Sequence, residues 1–452
     1  MRSGFIDSHP LGRALLVLLL GGMIGGCSPD DLLEVEYPDF ITEAAIGTSA
    51  GAEALRIRAI GDFAQLFNGG MALATSGALW TDELASGRQQ YDWFNNRANY
   101  RRDWDISFRH WSNLRNQSLR AVEAMTNFLP DGPDKNTKIG HMKALDGLGM
   151  VLMAEHYCNG IPIGRIEEGR MVFDETPLTY DQLFERGIQQ LDAALAVLPQ
   201  SATDFRNLAL VSKARALLNL DRPSEAAAVV VSVPTSFTWK AEFAAAGIQS
   251  GLYLWIETSG NYTPTNREGN GNYDSCDGTG QGLPYICEGD PRVRIERPHF
   301  RVAQDGTTRV YRLLDHTQAN YSITVSSGIE ARLIEAEADL RAGGSNWLVI
   351  LNDLRATMIA GLGPLADPGT QNARVDILFK ERAYWMYLTA HRAGDMRRLV
   401  RQYGRQATDV YPSGAFFKGG TYANQYVFEP HEAEANRPDG APKFDGCMNL
   451  QI

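Results

Sequence analysis

Apolar residues recur at helical spacing over 43–68, 107–129, 138–157, 179–198, 204–220, 223–232, 328–342, 345–360 and 374–403, and this period predicts a mostly helical chain. Leu183, Phe184, Ile188, Leu191, Ala194, Leu195 and Leu198 fall on one stripe of a helix. Thr179 can cap its start and Pro199 stops it. A second helix carries Ala209, Val211, Ala214, Leu217 and Leu218, and a third begins at Pro223. Consecutive helices of this length with Ala-rich faces predict tetratricopeptide-type hairpins, in a repeat too degenerate to define a strict array.

Two long stretches lack this period. Residues 69–106 carry Trp80, Tyr91, Trp93, Phe94, Tyr100 and Trp104. Residues 257–327 are rich in Gly, Asn and Tyr, with two short alternating runs, 308–313 and 321–325, that predict strands. Irregular stretches of this length in a compact domain carry function or are disordered, and the aromatics argue for order. The whole of 27–452 reads as one domain with these two insertions.

The N-terminus predicts a destination. Arg2 and Arg13 precede a thirteen-residue apolar run, 14–26, too short to span a bilayer and suited to an export signal. The run ends Ile24-Gly25-Gly26-Cys27, which resembles a bacterial lipobox with Cys27 as the acylated residue. Ser28-Pro29-Asp30-Asp31 follows, similar to the surface-export signal of some outer-membrane lipoproteins. The lipid would be the sole membrane anchor. An exported chain with four further cysteines predicts two disulfides. Cys276 and Cys287 are close in a Gly-rich loop and pair first, which leaves Cys158 with Cys447.

The net charge is −11, with no basic block, so there is no electrostatic footprint for nucleic acid. The eight histidines are scattered, and no metal, nucleotide or nucleophile-elbow motif is present, so neither metal nor cofactor is expected. Sugar rings lay apolar C–H faces on aromatic rings, while amides, carboxylates and guanidinium groups bond their hydroxyls. On that basis Trp80, Asp82, Gln89, Gln90, Tyr91 and Trp93, with Asn272, Tyr273 and Tyr285, are candidates for a glycan surface. Trp104 and Trp111 at a helix entrance read as core. Glu381, Arg382, Arg392 and Asp395 read as an ion-pair network, with Glu381 and Arg392 on one face of a single helix. Glu335 and Glu337 lie on nearly opposite helix faces and are no carboxylate pair.

Spaced motifs carry a family resemblance. Tyr157-Cys158-Asn159-Gly160-Ile161-Pro162, Asp290-Pro291-Arg292, Ala331-Arg332-Leu333-Ile334-Glu335-Ala336-Glu337-Ala338, Leu351-Asn352-Asp353-Leu354-Arg355, Glu381-Arg382 with Arg392 and Asp395, and Pro430, Glu434, Asn436 and Pro438 occur in order. Together they resemble the SusD/RagB family of outer-membrane nutrient-binding lipoproteins over nearly the whole mature chain. Trp385, Thr389-Ala390 and Met396 depart from the family pattern. The resemblance implies tetratricopeptide-like hairpins in a superhelical scaffold, with irregular loops as the ligand surface. It implies a non-enzymatic lid on a SusC-like TonB-dependent transporter that captures oligosaccharide, or less often peptide, at the cell surface. Two other functions compete: a helical scaffold for outer-membrane assembly without a small ligand, and a glycosidase. The latter needs two opposed carboxylates, for which Asp82 or Glu83 with Asp274 is the one pairing available.

Overall fold

The computed structural model describes residues 47–98, 106–167, 170–173, 176–267, 276, 281–435, 443–444, 446–450 and 452. The longer helices are α1 (Ser49–Asn68), α2 (Leu73–Trp80), α3 (Ile106–Phe128), α4 (Pro133–His156), α5 (Tyr180–Val197), α6 (Thr203–Asn219), α7 (Pro223–Val230), α8 (Gly328–Arg341), α9 (Asn346–Thr357), α10 (Gln371–Trp385) and α11 (Arg392–Arg401). They pack largely in chain order: α1 on α3, α3 on α4, α4 on α5, α5 on α6 and α6 on α7. Helix α7 then meets α8, which packs on α9 and α10. This is the expected mostly helical scaffold of hairpins.

Local chemistry sets the ends of these helices. Thr179 and Gln182 form a capping box on α5: Thr179 Oγ1 accepts from the Gln182 N–H at 3.2 Å, and Gln182 Oε1 from the Thr179 N–H at 2.9 Å. Pro133 opens α4 at a position where its missing N–H has no helical partner to lose. Helices α4 and α5 approach closely at Gly147 and Gly187, where a Cβ on Gly147 would lie 2.8 Å from Leu191 Cγ and 3.1 Å from the Gly187 carbonyl oxygen. One large core runs from α1 through α8, and a smaller one gathers Leu333, Trp347, Leu351, Leu378 and Phe379 among α8, α9 and α10. Trp111 is core, as expected; Trp104 lies outside the described residues.

Two expectations fail. Residues 69–106 are not one loop: they hold α2, the strand β1 (Leu84–Ser86) and a short helix, Asp92–Asn95. The segment Leu73–Trp80 is buried on every side, with Thr75 and Ser76 bonding their hydroxyls back to the Ala72 carbonyl, so it shows no amphipathic stripe. The expected helix over 374–403 is broken into α10 and α11. Leu388 and Ala390 take left-handed φ of 57° and 59° in the connection, a conformation that no glycine or proline there announces. Glu83 supports the break, its Oε1 accepting from the Leu388 N–H at 2.9 Å and its carbonyl from the Tyr387 hydroxyl at 3.0 Å.

The strands form two-stranded antiparallel sheets: β1 with β5 (Tyr262–Pro264), β2 (Gly164–Glu167) with β3 (Arg170–Phe173), β4 (Thr238–Ala241) with β8 (Ile323–Ser327), and β6 (Ile295–Val302) with β7 (Arg309–Leu313). The strands expected over 308–313 and 321–325 are β7 and β8, each within two residues of the expected bounds. Pairing of Leu84 with Pro264 and Ser86 with Tyr262 brings the two irregular stretches together. Both expected disulfides are present. Cys158–Cys447 spans a sequence separation of 289 and Cys276–Cys287 one of 11. Among the described residues no helix is long and apolar enough to cross a membrane.

Candidate functional site

The β1–β5 pairing positions a small aromatic ridge. After Ser86 the chain turns through Gly87 and Arg88 into Gln89–Tyr91 and then the short helix Asp92–Asn95. Gln89 and Gln90 are exposed, and Tyr91 and Trp93 are half-buried. Across the junction, Leu254–Thr258 forms a single π-helical turn carrying Trp255. Such turns are rare and recur at functional sites. Trp255 stacks on the buried Tyr262 with ring centroids 4.9 Å apart, and Tyr91 meets it edge-on at 5.2 Å. The Arg88 guanidinium lies 5.2 Å from the Tyr91 ring and 5.8 Å from that of Trp255. Amides, rings and one guanidinium group therefore share this surface.

Three expected ligand residues lie elsewhere. Trp80 is 2% exposed, its ring edge-on to Phe428 at 4.7 Å, because it ends the all-buried α2. Tyr285 is 1% exposed, wedged against Tyr387 at 4.5 Å and Tyr384 at 5.1 Å. Asp82 is fully buried. Arg392 donates to its Oδ1 from Nε at 2.7 Å and to its Oδ2 from Nη2 at 2.8 Å, and the Leu283 N–H donates to Oδ2 at 3.0 Å. None of the three offers a face to a sugar; each is core. Asn272, Tyr273 and Cys27, the residue expected to carry a lipid, lie outside the described residues. Trp255 is the residue that sequence reasoning missed. It sits just before the irregular stretch 257–327, and the apolar pattern around it does not separate it from a buried helix.

The four charged residues expected to form one network are all buried and ion-paired, but in three separate sets and on two helices rather than one, with Arg392 committed to Asp82. Arg382 of α10 donates to both Asp395 oxygens of α11, at 2.9 and 2.8 Å, and Arg398 adds a third bond at 2.8 Å. Those two guanidinium groups overcome burial and hold the Asp395 carboxyl well below the usual range. Glu381 instead binds Arg292 and Arg355, at 2.7 and 2.6 Å. Glu83 is the opposite case: burial, reinforced by the Asp82 charge, outweighs its bond from Leu388 and raises it to about 8. Glu337 is buried and Glu335 half-buried, as opposite helix faces require. Among the described residues no three His, Cys, Asp or Glu side chains gather as a metal set.

Known structures decide the architecture. A SusD superfamily protein from Parabacteroides distasonis superposes with a TM-score of 0.64 at 13% identity, over 88% of this chain and 98% of that one. The chain has a SusD-like fold. A SusD-like carbohydrate binding protein from Bacteroides fragilis gives 0.60 at 12% identity, over 86% and 98%. The surface glycan-binding protein A from Bacteroides uniformis gives 0.58 at 16%, also over 86% and 98%. No protein-family model and no curated protein sequence matches the chain. The SusD-like likeness therefore rests on three-dimensional architecture, and the ridge beside β1 and β5 is one of the irregular parts laid on that scaffold.

Proposed function

We propose that this chain is a lipid-anchored member of the SusD/RagB family that binds oligosaccharide at the cell surface and passes it to a SusC-like TonB-dependent transporter. The observation that carries the reading is the SusD-like fold over nearly the whole chain, shared with structures named for glycan or carbohydrate binding. The lipobox-like sequence ending at Cys27 supports the anchor and the outer-membrane location. The Gln90–Tyr91–Trp93 segment with Trp255 supplies the rings and amides that a glycan requires. Burial of Trp80 and Tyr285 narrows this surface without removing it.

The protein is read as a binder and not as an enzyme. Asp82 is committed to Arg392, and Glu83 accepts from the backbone of Leu388 inside the core, so neither faces a cleft as half of a carboxylate pair. A glycan array probed with soluble protein starting at Ser28 tests the reading. Binding of at least one glycan class, lost in Tyr91→Ala or Trp255→Ala, is expected. No binding to any glycan would favour the ligand-free scaffold.

A further inference from the structure

Arg88 has no carboxylate partner among the described residues. The rings of Tyr91 and Trp255 hold its guanidinium. Turned so that its oxygen faces Arg88, the Gln90 amide accepts from Nη2 at 2.8 Å and Nε at 2.9 Å, and Nη1 stays uncommitted. The neighbouring acids belong to other cations. Lys418 takes Asp92 at 2.7 Å and Asp305 at 3.0 Å, and Arg312 takes Glu257 at 2.8 Å and Glu296 at 2.7 Å. A second arginine shares the junction. The Gly87 N–H donates to the Asn261 carbonyl at 2.6 Å, and Arg301 lies over Gly260, the residue before Asn261, so closely that no Cβ fits there. Arg301 is exposed, its guanidinium 4.6 Å from the Phe300 ring, and it too lacks a carboxylate partner among the described residues.

A neutral sugar settling on this ridge would strip water from guanidinium N–H groups and give only hydroxyl oxygens in return. An anionic sugar would supply the missing acceptor. A planar guanidinium stacked on aromatic faces still presents its N–H edge, and that edge matches a carboxylate or sulfate oxygen pair. On a chain of net charge −11, two arginines with no carboxylate partner among the described residues, Arg88 with Nη1 open beside the platform, are a local exception that discriminates between ligands. We propose that the ridge takes anionic glycans, chains bearing uronate or sulfate groups, with Arg88 at the platform and Arg301 at its flank. The proposal rests on the glycan-binding reading above.

The test uses soluble protein starting at Ser28 on an array of neutral, uronate-rich and sulfated polysaccharides, followed by calorimetry on matched pairs. Polygalacturonate is compared with its methyl ester, and a sulfated galactan with its desulfated form. The charged member of at least one pair should bind about tenfold or more tighter, and which pair responds distinguishes uronate from sulfate. Raising salt from about 50 to about 500 mM should weaken that binding. Arg88→Gln should abolish the preference without moving the melting temperature, and Arg301→Gln should reduce it. Neutral glycans bound as well as or better than anionic ones, or a preference that survives Arg88→Gln, overturns the proposal and leaves the glycan reading intact. Silence across the whole array removes both.

Discussion

Trp80 and Tyr91 belong to one aromatic-rich stretch and end in opposite environments. Trp80 closes an all-buried helix against Phe94 and Phe428, whereas Tyr91 follows two exposed glutamines. Trp80→Ala should therefore lower stability by about 3–5 kcal/mol, the usual result of emptying a buried indole site. A denaturant midpoint checks this, and the folded fraction should still bind glycan. Tyr91→Ala should do the reverse, weakening affinity about tenfold while the midpoint stays within about 0.5 kcal/mol of wild type. Composition cannot separate the two residues. Both are aromatics of one stretch, and tertiary packing decides which one is covered: Trp80 meets Phe94 and Phe428, whereas Tyr91 lies half-buried against Trp255. The disulfides were more legible, because four cysteines beyond Cys27 leave few pairings.

The break between α10 and α11 shows the same limit at the scale of an element. Residues 386–391 contain neither Gly nor Pro, and their apolar period continues a helix. The helix ends there because Glu83, distant in sequence, offers its carbonyl and carboxyl to Tyr387 and Leu388. A tertiary partner overrides local propensity. Among the hairpins α3 to α7, helices such as α3 and α5 were readable because each buries one stripe against its chain neighbour, whereas α4 is buried on nearly every side from Ile139 onward. The support at Glu83 carries a pH signature. Its folded-state value, about 8, lies above the ordinary 4.5, so the native state retains a proton that the unfolded chain releases between those values. This group's contribution to stability thus falls as pH rises from about 4.5 to about 8, by at most about 1.4 kcal/mol per pH unit. Glu83→Gln keeps an acceptor for Leu388 without the charge, so its melting temperature should decline less than wild type across that window. Asp395 acts in the other direction: its depressed value makes a contribution present at neutral pH and lost in acid. Arg392→Ala would leave Asp82 buried and unpaired, an expected loss of about 3–5 kcal/mol in the same melts.

At the scale of the whole molecule, two covalent features, one present and one proposed, add to packing that joins both chain neighbours and distant segments. Cys158–Cys447 ties the turn after α4 to the C-terminal segment. Closing so long a loop restricts the unfolded chain by up to about 5 kcal/mol. The Cys158→Ser, Cys447→Ser double variant should melt well below wild type, and a midpoint equal to wild type would show that packing alone holds the C-terminal segment. The second feature is the proposed lipid at Cys27. On the proposed reading membrane attachment depends on that acyl group, and the net charge of −11 adds no attraction to anionic lipid headgroups. A hand-over to a transporter demands that the binding ridge remain at the membrane while its scaffold stays in water, and a lipid at Cys27 would meet both demands. Cys27→Ala should therefore appear in the soluble fraction with its fold and glycan affinity unchanged. In intact cells the wild type should be digested by added protease. Full protection of the wild type until lysis would place the ridge on the wrong side of the membrane for capture.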